Sequence, residues 1–279
     1  MTPFVDLHLH PPTERFLHLT LGPPISGPHA PGDGPRALDL DRVAEAYRAR
    51  DGRAVVLGWD AETATGSPPL SSDDVATIVR SHPDVFVGFG SVDPHKGAKA
   101  ISGVAEAKRL GLNGLSFHPA AQRFDPSDRR YGSIWEVAEE LDLVVLVHSG
   151  FTAVGAGRPG GAGVEIAFAN PILLDRVAAD FPELRIVASH PGWPWQDELL
   201  ATAMHKPNVW IELSGRAPTR MTPALLEAVS GPLRDRTVIG TGIPQLDLDE
   251  WLAAWDGVGL DEDVAVRLRV ANATRLLDL

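Results

Sequence analysis

The chain has 279 residues, 44% of them hydrophobic, with 25 Lys and Arg against 37 Asp and Glu, for a formal net charge of -12. An acidic surface repels nucleic acid and anionic membrane, so the expected partner is a small-molecule substrate. The absence of cysteine removes disulfides, thiolate nucleophiles and cysteine-held zinc, and any metal must be bound by nitrogen and oxygen, for which ten histidines supply the nitrogen.

Eight apolar runs of strand length recur along the chain. They are PFVDLHL from Pro3, AVVLGWD from Ala54, VFVGFGSVD from Val85, GLSFHP from Gly114, LVVLVHS from Leu143, RIVASHP from Arg185, NVWIELS from Asn208 and TVIGTG from Thr237. Between them lie helical stretches from Leu40, Asp73, Ala98, Ser133, Ile172, Pro194 and Thr222; DEWLAAW from Asp249 and DEDVAVRLRVANATRLL from Asp261 close the chain. Regular alternation at this length predicts an α/β fold, a single-domain (β/α)8 TIM barrel over 1–279, with a doubly wound sheet as runner-up. Long Pro- and Gly-rich loops at about 11–37 and 151–163 follow strands, which places them at the C-terminal mouth of the barrel. No basic segment leads into an apolar run and no stretch of about 18 apolar residues occurs, so a cytoplasmic protein is expected.

The chemistry gathers at strand ends. His8 and His10 stand two apart in DLHLHP, so strand alternation puts both on one face while Val5, Leu7 and Leu9 turn toward the helices. Alone, the pair also suits an ordinary polar lining. His118, His148 and His190 end strands four, five and six, and in a barrel all five imidazoles converge, enough for metal ligation with one left for proton transfer. His118, before Pro119, also suits a local cap, whereas His18, His29, His82, His95 and His205 read as solvated. Arg123, Arg158 and Arg216 follow strands and are candidates for a substrate anion, Arg158 being best placed, in the Gly-rich loop. Trp59, Trp193 and Trp195 suit an aromatic pocket wall or plain packing.

The segments DLHLHP, GWDAETATG, GFGSVDPHKG, LSFHPAAQRFDPSDRR, LVVLVHSG, ADFPELRIVASHPGWPWQDE, HKPNVWIELSG and NATRLLDL resemble the amidohydrolase-related family of the second type, over nearly the whole chain. That group includes aminocarboxymuconate semialdehyde decarboxylase and resorcylate-type decarboxylases. The resemblance implies a divalent metal on His8, His10 and His148, with His190 as the catalytic proton-transfer residue; from their placement after strands, His118, Arg158 and Trp59 are expected near the substrate. Histidine-rich ligation favours zinc, and the family also uses manganese. Dimers are common among such proteins, so a homodimer is expected.

One expected residue is missing. The family's eighth strand ends in Gly-Ser-Asp or Gly-Thr-Asp, and here the stretch GTGIPQ puts Gly242 where that metal-binding Asp would stand. Four arrangements follow: a substitute carboxylate (Asp60, Asp93, Glu165, Asp247 or Asp249), a three-histidine site, loss of the metal, or a substitution introduced to trap a substrate. The expected activity is metal-dependent hydrolysis of a small carboxylated or β-keto, aromatic substrate, with the branch's proposed β-keto aromatic acyl thioesters as the model. Non-oxidative decarboxylation of an aromatic or enolic acid is the second expectation, and a metal-free or non-catalytic ligand-binding barrel the third.

Overall fold

Short runs rich in Val, Ile and Phe, buried on both faces, form the strands of a parallel sheet with helices packed outside it. The computed structural model describes residues 3–14, 16, 37–242 and 248–279. Eight strands follow one another in chain order: β1 (Phe4–Leu9), β2 (Gly52–Leu57), β3 (Phe86–Gly90), β4 (Gly114–Phe117), β5 (Val144–His148), β6 (Ile186–Ser189), β7 (Val209–Leu213) and β8 (Thr237–Ile239). Each pairs in parallel with the next. The helices between them are α1 (Leu40–Arg48), α2 (Glu62–Thr65), α3 (Ser72–Ser81), α4 (Ala98–Arg109), α5 (Pro119–Gln122), α6 (Gly132–Glu140), α7 (Leu173–Asp180), α8 (Gln196–His205) and α9 (Pro223–Ser230). Helices α10 (Leu248–Asp256), α11 (Glu262–Val266) and α12 (Asn272–Leu277) end the chain, so the fold is the (β/α)8 barrel expected. The single closing helix expected from Asp261 is instead divided by a π-helical turn at Arg267–Ala271.

Local chemistry starts the helices where the chain turns back. Ser71 and Asp74 form a reciprocal capping box on α3, and Thr222 accepts from Leu225 N–H ahead of Pro223 in α9. Two apolar clusters result. The larger lies between strands and helices; the smaller fills the barrel with Val5, Leu7, Val55, Leu57, Val87, Phe89, Val144, Leu146, Val187, Trp210 and Val238, joined by Ala273, Leu276 and Leu277 of α12. The last helix therefore plugs the end of the barrel opposite the strand-end histidines.

Strand β1 departs from strict alternation. Val5 and Leu7 point into the barrel, Leu9 packs outward, and the pairing with β2 shifts register between Asp6 and Leu9. This corrects the expectation that Val5 and Leu7 face the helices. The irregularity turns His8 inward directly after inward Leu7, the re-aiming that bulges perform beside active sites. Asp6, facing out and fully buried, closes the barrel: it accepts from Tyr47 Oη (2.5 Å), Thr241 Oγ1 (2.6 Å), Thr241 N–H (2.9 Å) and His8 N–H (2.8 Å). One backbone bond, Gly242 N–H to His8 O at 2.9 Å, completes the junction of β8 with β1.

Most of the loop expected at 11–37 lies outside the described residues, whereas the 151–163 loop follows β5 as expected and continues through 3-10 turns at Pro159–Gly163 and Ile166–Ala169. Among the described residues no helix is long and apolar enough to cross a membrane.

Candidate active site

Register sets the site. His148 of β5 pairs with Ser189 of β6, which pairs with Glu212 of β7, so one row across three strands carries an imidazole, a hydroxyl and a carboxylate. Inward residues alternate along each strand, and Leu146, Val187 and Trp210 lie one layer deeper in the interior cluster. His8, re-aimed by the β1 irregularity, reaches this row.

The five strand-end histidines do converge. The Nε2 atoms of His8 and His10 are 3.1 Å apart, and the His8 and His148 rings lie 4.9 and 4.7 Å from the ring of His190. His118 stacks on His148 at 3.8 Å, with the Trp59 ring at 5.4 Å from His118. His10 stacks on Phe16 at 4.8 Å between ring centres. Two buried nitrogens, His10 Nδ1 and His148 Nε2, have no hydrogen-bond partner. The pocket between β1 and β5 is lined by His8, His10, His118 and His148 together with Leu57, Trp59, Phe117 and Leu146.

His118 is engaged at both nitrogens: Nδ1 accepts from Ala121 N–H (3.2 Å), which leaves the Nε2 proton for Thr152 Oγ1 (3.1 Å). It caps α5 while its ring face walls the pocket. His190 adopts a left-handed backbone (φ 74) at the end of β6, and its Nδ1 meets Ser214 Oγ at 2.9 Å.

Glu212 was not singled out by the sequence reading, although a lone charge between Ile211 and Leu213 in an apolar strand was the available signal. It is fully buried, with Oε2 against His8 Nδ1 and the hydroxyls of Ser189 and Ser214, while Oε1 has no hydrogen-bond partner. Gly240 makes room for it, since a Cβ there would strike Glu212 Oε1 and come within 2.7 Å of His8 Cβ. Ligand atoms of His8, His190 and Glu212 lie within 4.8 Å of one another. Because Glu212 meets the Nδ1 side of His8, it stands behind that ring, away from the Nε2 edge facing His10.

The electrostatics keep His10, His118, His148 and His190 neutral. Burial, then mutual repulsion among the rings, holds His10 and His148 well below the usual histidine value; it brings His118 to about 3, and His190, with Glu212 opposing, to about 4. Burial alone would raise Glu212, but His8 beside it and the hydrogen bonds from His8 and Ser214 outweigh that and lower it, so it is ionised.

Among the described residues, the candidate substitute carboxylates are not brought to the ligand nitrogens. Asp60 reaches the pocket wall, yet both its oxygens are held by Lys96 Nζ at 2.8 and 3.0 Å. Asp93 caps a 3-10 turn and accepts from Thr63 and His95 N–H; Asp249 pairs with Arg50 on the surface. Glu165 is exposed, and Asp247 lies outside the described residues. Gly242 has φ 70, a conformation that favours glycine. Of the cations, Arg158 is exposed, Arg123 donates to Ala162 O, and Arg216 lies over the exposed Trp193 ring at 5.2 Å.

Fold and site together define a TIM barrel whose mouth is crowded with strand-end histidines around an HxH pair. The family model described as amidohydrolase, of the second type, matches residues 5–279, and the chain belongs to that family. No curated protein matches the sequence. Among solved structures, an uncharacterised TIM-barrel protein of Bordetella bronchiseptica is 24% identical, with TM-score 0.78 over 99% of this chain and 98% of that one. The 2,6-dihydroxybenzoate decarboxylase from Rhizobium is 16% identical, with TM-score 0.73 over 100% and 99%. A dihydroxybenzoic acid decarboxylase from Polaromonas sp. JS666, with bound manganese and 2-nitroresorcinol, is 18% identical, with TM-score 0.73 over 100% and 98%. At these identities the likeness shows the fold.

Proposed function

We propose that the chain is a divalent-metal-dependent decarboxylase of a small hydroxylated aromatic or enolic acid. The observation that carries this reading is the pocket lining, with His10, His118 and His148 held neutral among Leu57, Trp59, Phe117 and Leu146 and no lysine or arginine among the described lining residues. A carboxylate entering such a surround meets no lysine or arginine, which leaves a bound ion to receive its oxygens, whereas the carbon dioxide it releases is neutral and suits the apolar wall. The similar dihydroxybenzoate decarboxylases, one of them with manganese bound, agree with this reading.

The His8–His10 pair fits an ion, and the one group of three whose ligand atoms lie within 4.8 Å of one another among the described residues is His8, His190 and Glu212. Two imidazole nitrogens sharing one ion at about 2.0–2.1 Å stand roughly 3.3 Å apart in a tetrahedral site, close to the 3.1 Å between His8 and His10 Nε2. His148 Nε2, buried and without a partner, would be the third donor. His8, His10 and His148 would hold the ion, which would supply an electrophile for the oxygens of the acid. The flat wall of His118, His148 and Trp59 orients a planar ring. With Nδ1 on Ser214, His190 uses Nε2 to take the proton of the substrate hydroxyl and returns it to the ring carbon as the bond to the carboxyl carbon breaks. That bond pair stays on the ring carbon and carbon dioxide leaves, so the balance closes without another reactant.

Hydrolysis of a β-keto acyl bond is the second reading, favoured by the same His190 Nε2, which is equally able to take a proton from water. The test is metal content by mass spectrometry on protein purified without chelators or metal columns, followed by assays with manganese and with zinc. About one ion per chain and carbon dioxide release from hydroxybenzoates are expected. Acyl cleavage without carbon dioxide release would replace this reading with the second, and a chain that takes up no ion and turns over neither substrate would be a ligand-binding barrel.

A further inference from the structure

Nothing in the proton route above uses Glu212, yet three groups crowd one of its oxygens. Oε2 lies 3.1 Å from His8 Nδ1 and 2.8 Å from each of Ser189 Oγ and Ser214 Oγ. A carboxylate only accepts, so all three donate. Each serine has one hydroxyl proton, and both are spent on Glu212. Ser214 Oγ therefore meets His190 Nδ1, 2.9 Å away, as an acceptor, which places a proton on that nitrogen. Ser189 Oγ, 3.0 Å from His8 Nδ1, accepts in the same way and shares the His8 proton with Glu212.

We propose that Glu212 is a positioning residue that sets the tautomers of His8 and His190 together, the first directly and the second through Ser214. Both rings then carry their hydrogen on Nδ1 and keep the lone pair on Nε2. In His8 that lone pair points to the edge shared with His10; in His190 it is the base. The Nδ1 protons follow from the hydrogen bonds alone, and a bare Nε2 makes His8 the acceptor in its 3.1 Å contact with His10 Nε2, while the consequence for ion and base rests on the metal-dependent reading. Standing behind His8, Glu212 makes that ring a stronger donor without ligating, as carboxylates behind metal-bound histidines do. A chain with Gly242 in place of an anionic ligand would gain negative character at a bound ion by this route.

The test is 15N NMR of histidine-labelled, metal-free protein, with His8 and His190 assigned from single His→Asn variants. Both rings should show a protonated Nδ1 and a bare Nε2, and a proton on Nε2 of either ring would overturn the proposal. Ser214→Ala should release the tautomer of His190 alone and lower kcat with KM unchanged; a loss of tautomer preference at His8 as well would contradict the two separate arms. Glu212→Gln should release both and weaken manganese binding about 10- to 100-fold, and unchanged tautomers in that variant would also sink the idea. If Glu212→Gln fails to fold, the wild-type spectrum and Ser214→Ala still decide. Expected tautomers in a protein that binds no ion would leave this proposal standing and remove the metal-dependent reading.

Discussion

At the scale of single residues, the buried histidines tie the fold to pH. His190 at about 4 and His118 at about 3 sit below the unfolded value near 6.5, so between those limits the unfolded chain binds more protons than the native one. Stability of the metal-free protein is therefore complete above about pH 6.5, falls as the pH drops through that value, and stops falling from this source near pH 3; urea midpoints measured across the range should trace that slope. A profile flat from pH 7 to 4 would contradict the burial of these rings. His190→Ala should lower turnover about 10²- to 10⁴-fold, the span of general acid–base groups, while retaining bound metal, and a variant with full activity would remove His190 from the proton route. The strand-end histidines were legible because polar residues stand out at the ends of apolar runs. Glu212 was not, because one charge inside NVWIELS gives no sign of what lies on neighbouring strands, and Ser189 and Ser214 become informative only once register has put them beside it.

Among elements, β1 does the most and was read least accurately. Alternation in DLHLHP placed the two histidines together correctly but misplaced Val5 and Leu7, because a register shift against β2 leaves no compositional mark. Asp6 is the cause of much of this strand's order: its oxygens collect donors from α1, from the segment after β8 and from the backbone of His8. Burial raises its carboxyl group above the ordinary value, with hydrogen bonds from Thr241, Tyr47 and His8 opposing. Tyr47→Phe removes one of these donors and should destabilise the fold by about 1–3 kcal/mol, seen as a lower urea midpoint. Gly240→Ala crowds Glu212 and His8 and should cost about 1–3 kcal/mol together with a loss of metal loading; a variant that loads normally would show that the neighbours yield without harm.

For the molecule as a whole, the alternation of strands and helices was enough to give the barrel, because eight buried runs at this spacing have few other ways to cover both faces. An ion bound by residues from β1 and β5 exists as a site only in the closed barrel, so it should stabilise the native state: at free manganese 100-fold above Kd, by about 2.7 kcal/mol, or a melting temperature roughly 5 °C higher. EDTA should reverse that rise and His10→Asn should abolish it. The wall of the barrel is uneven, however. Strand β8 has three residues, and its junction with β1 rests on Asp6 and the bond from Gly242 to His8. Amide hydrogen exchange should follow that inequality: protons on β8 should exchange through a partial opening, well before those of β5 and β6, which wait for global unfolding. Because the same opening parts His8 from Glu212, the protein would lose its chemistry while most of its barrel still stood.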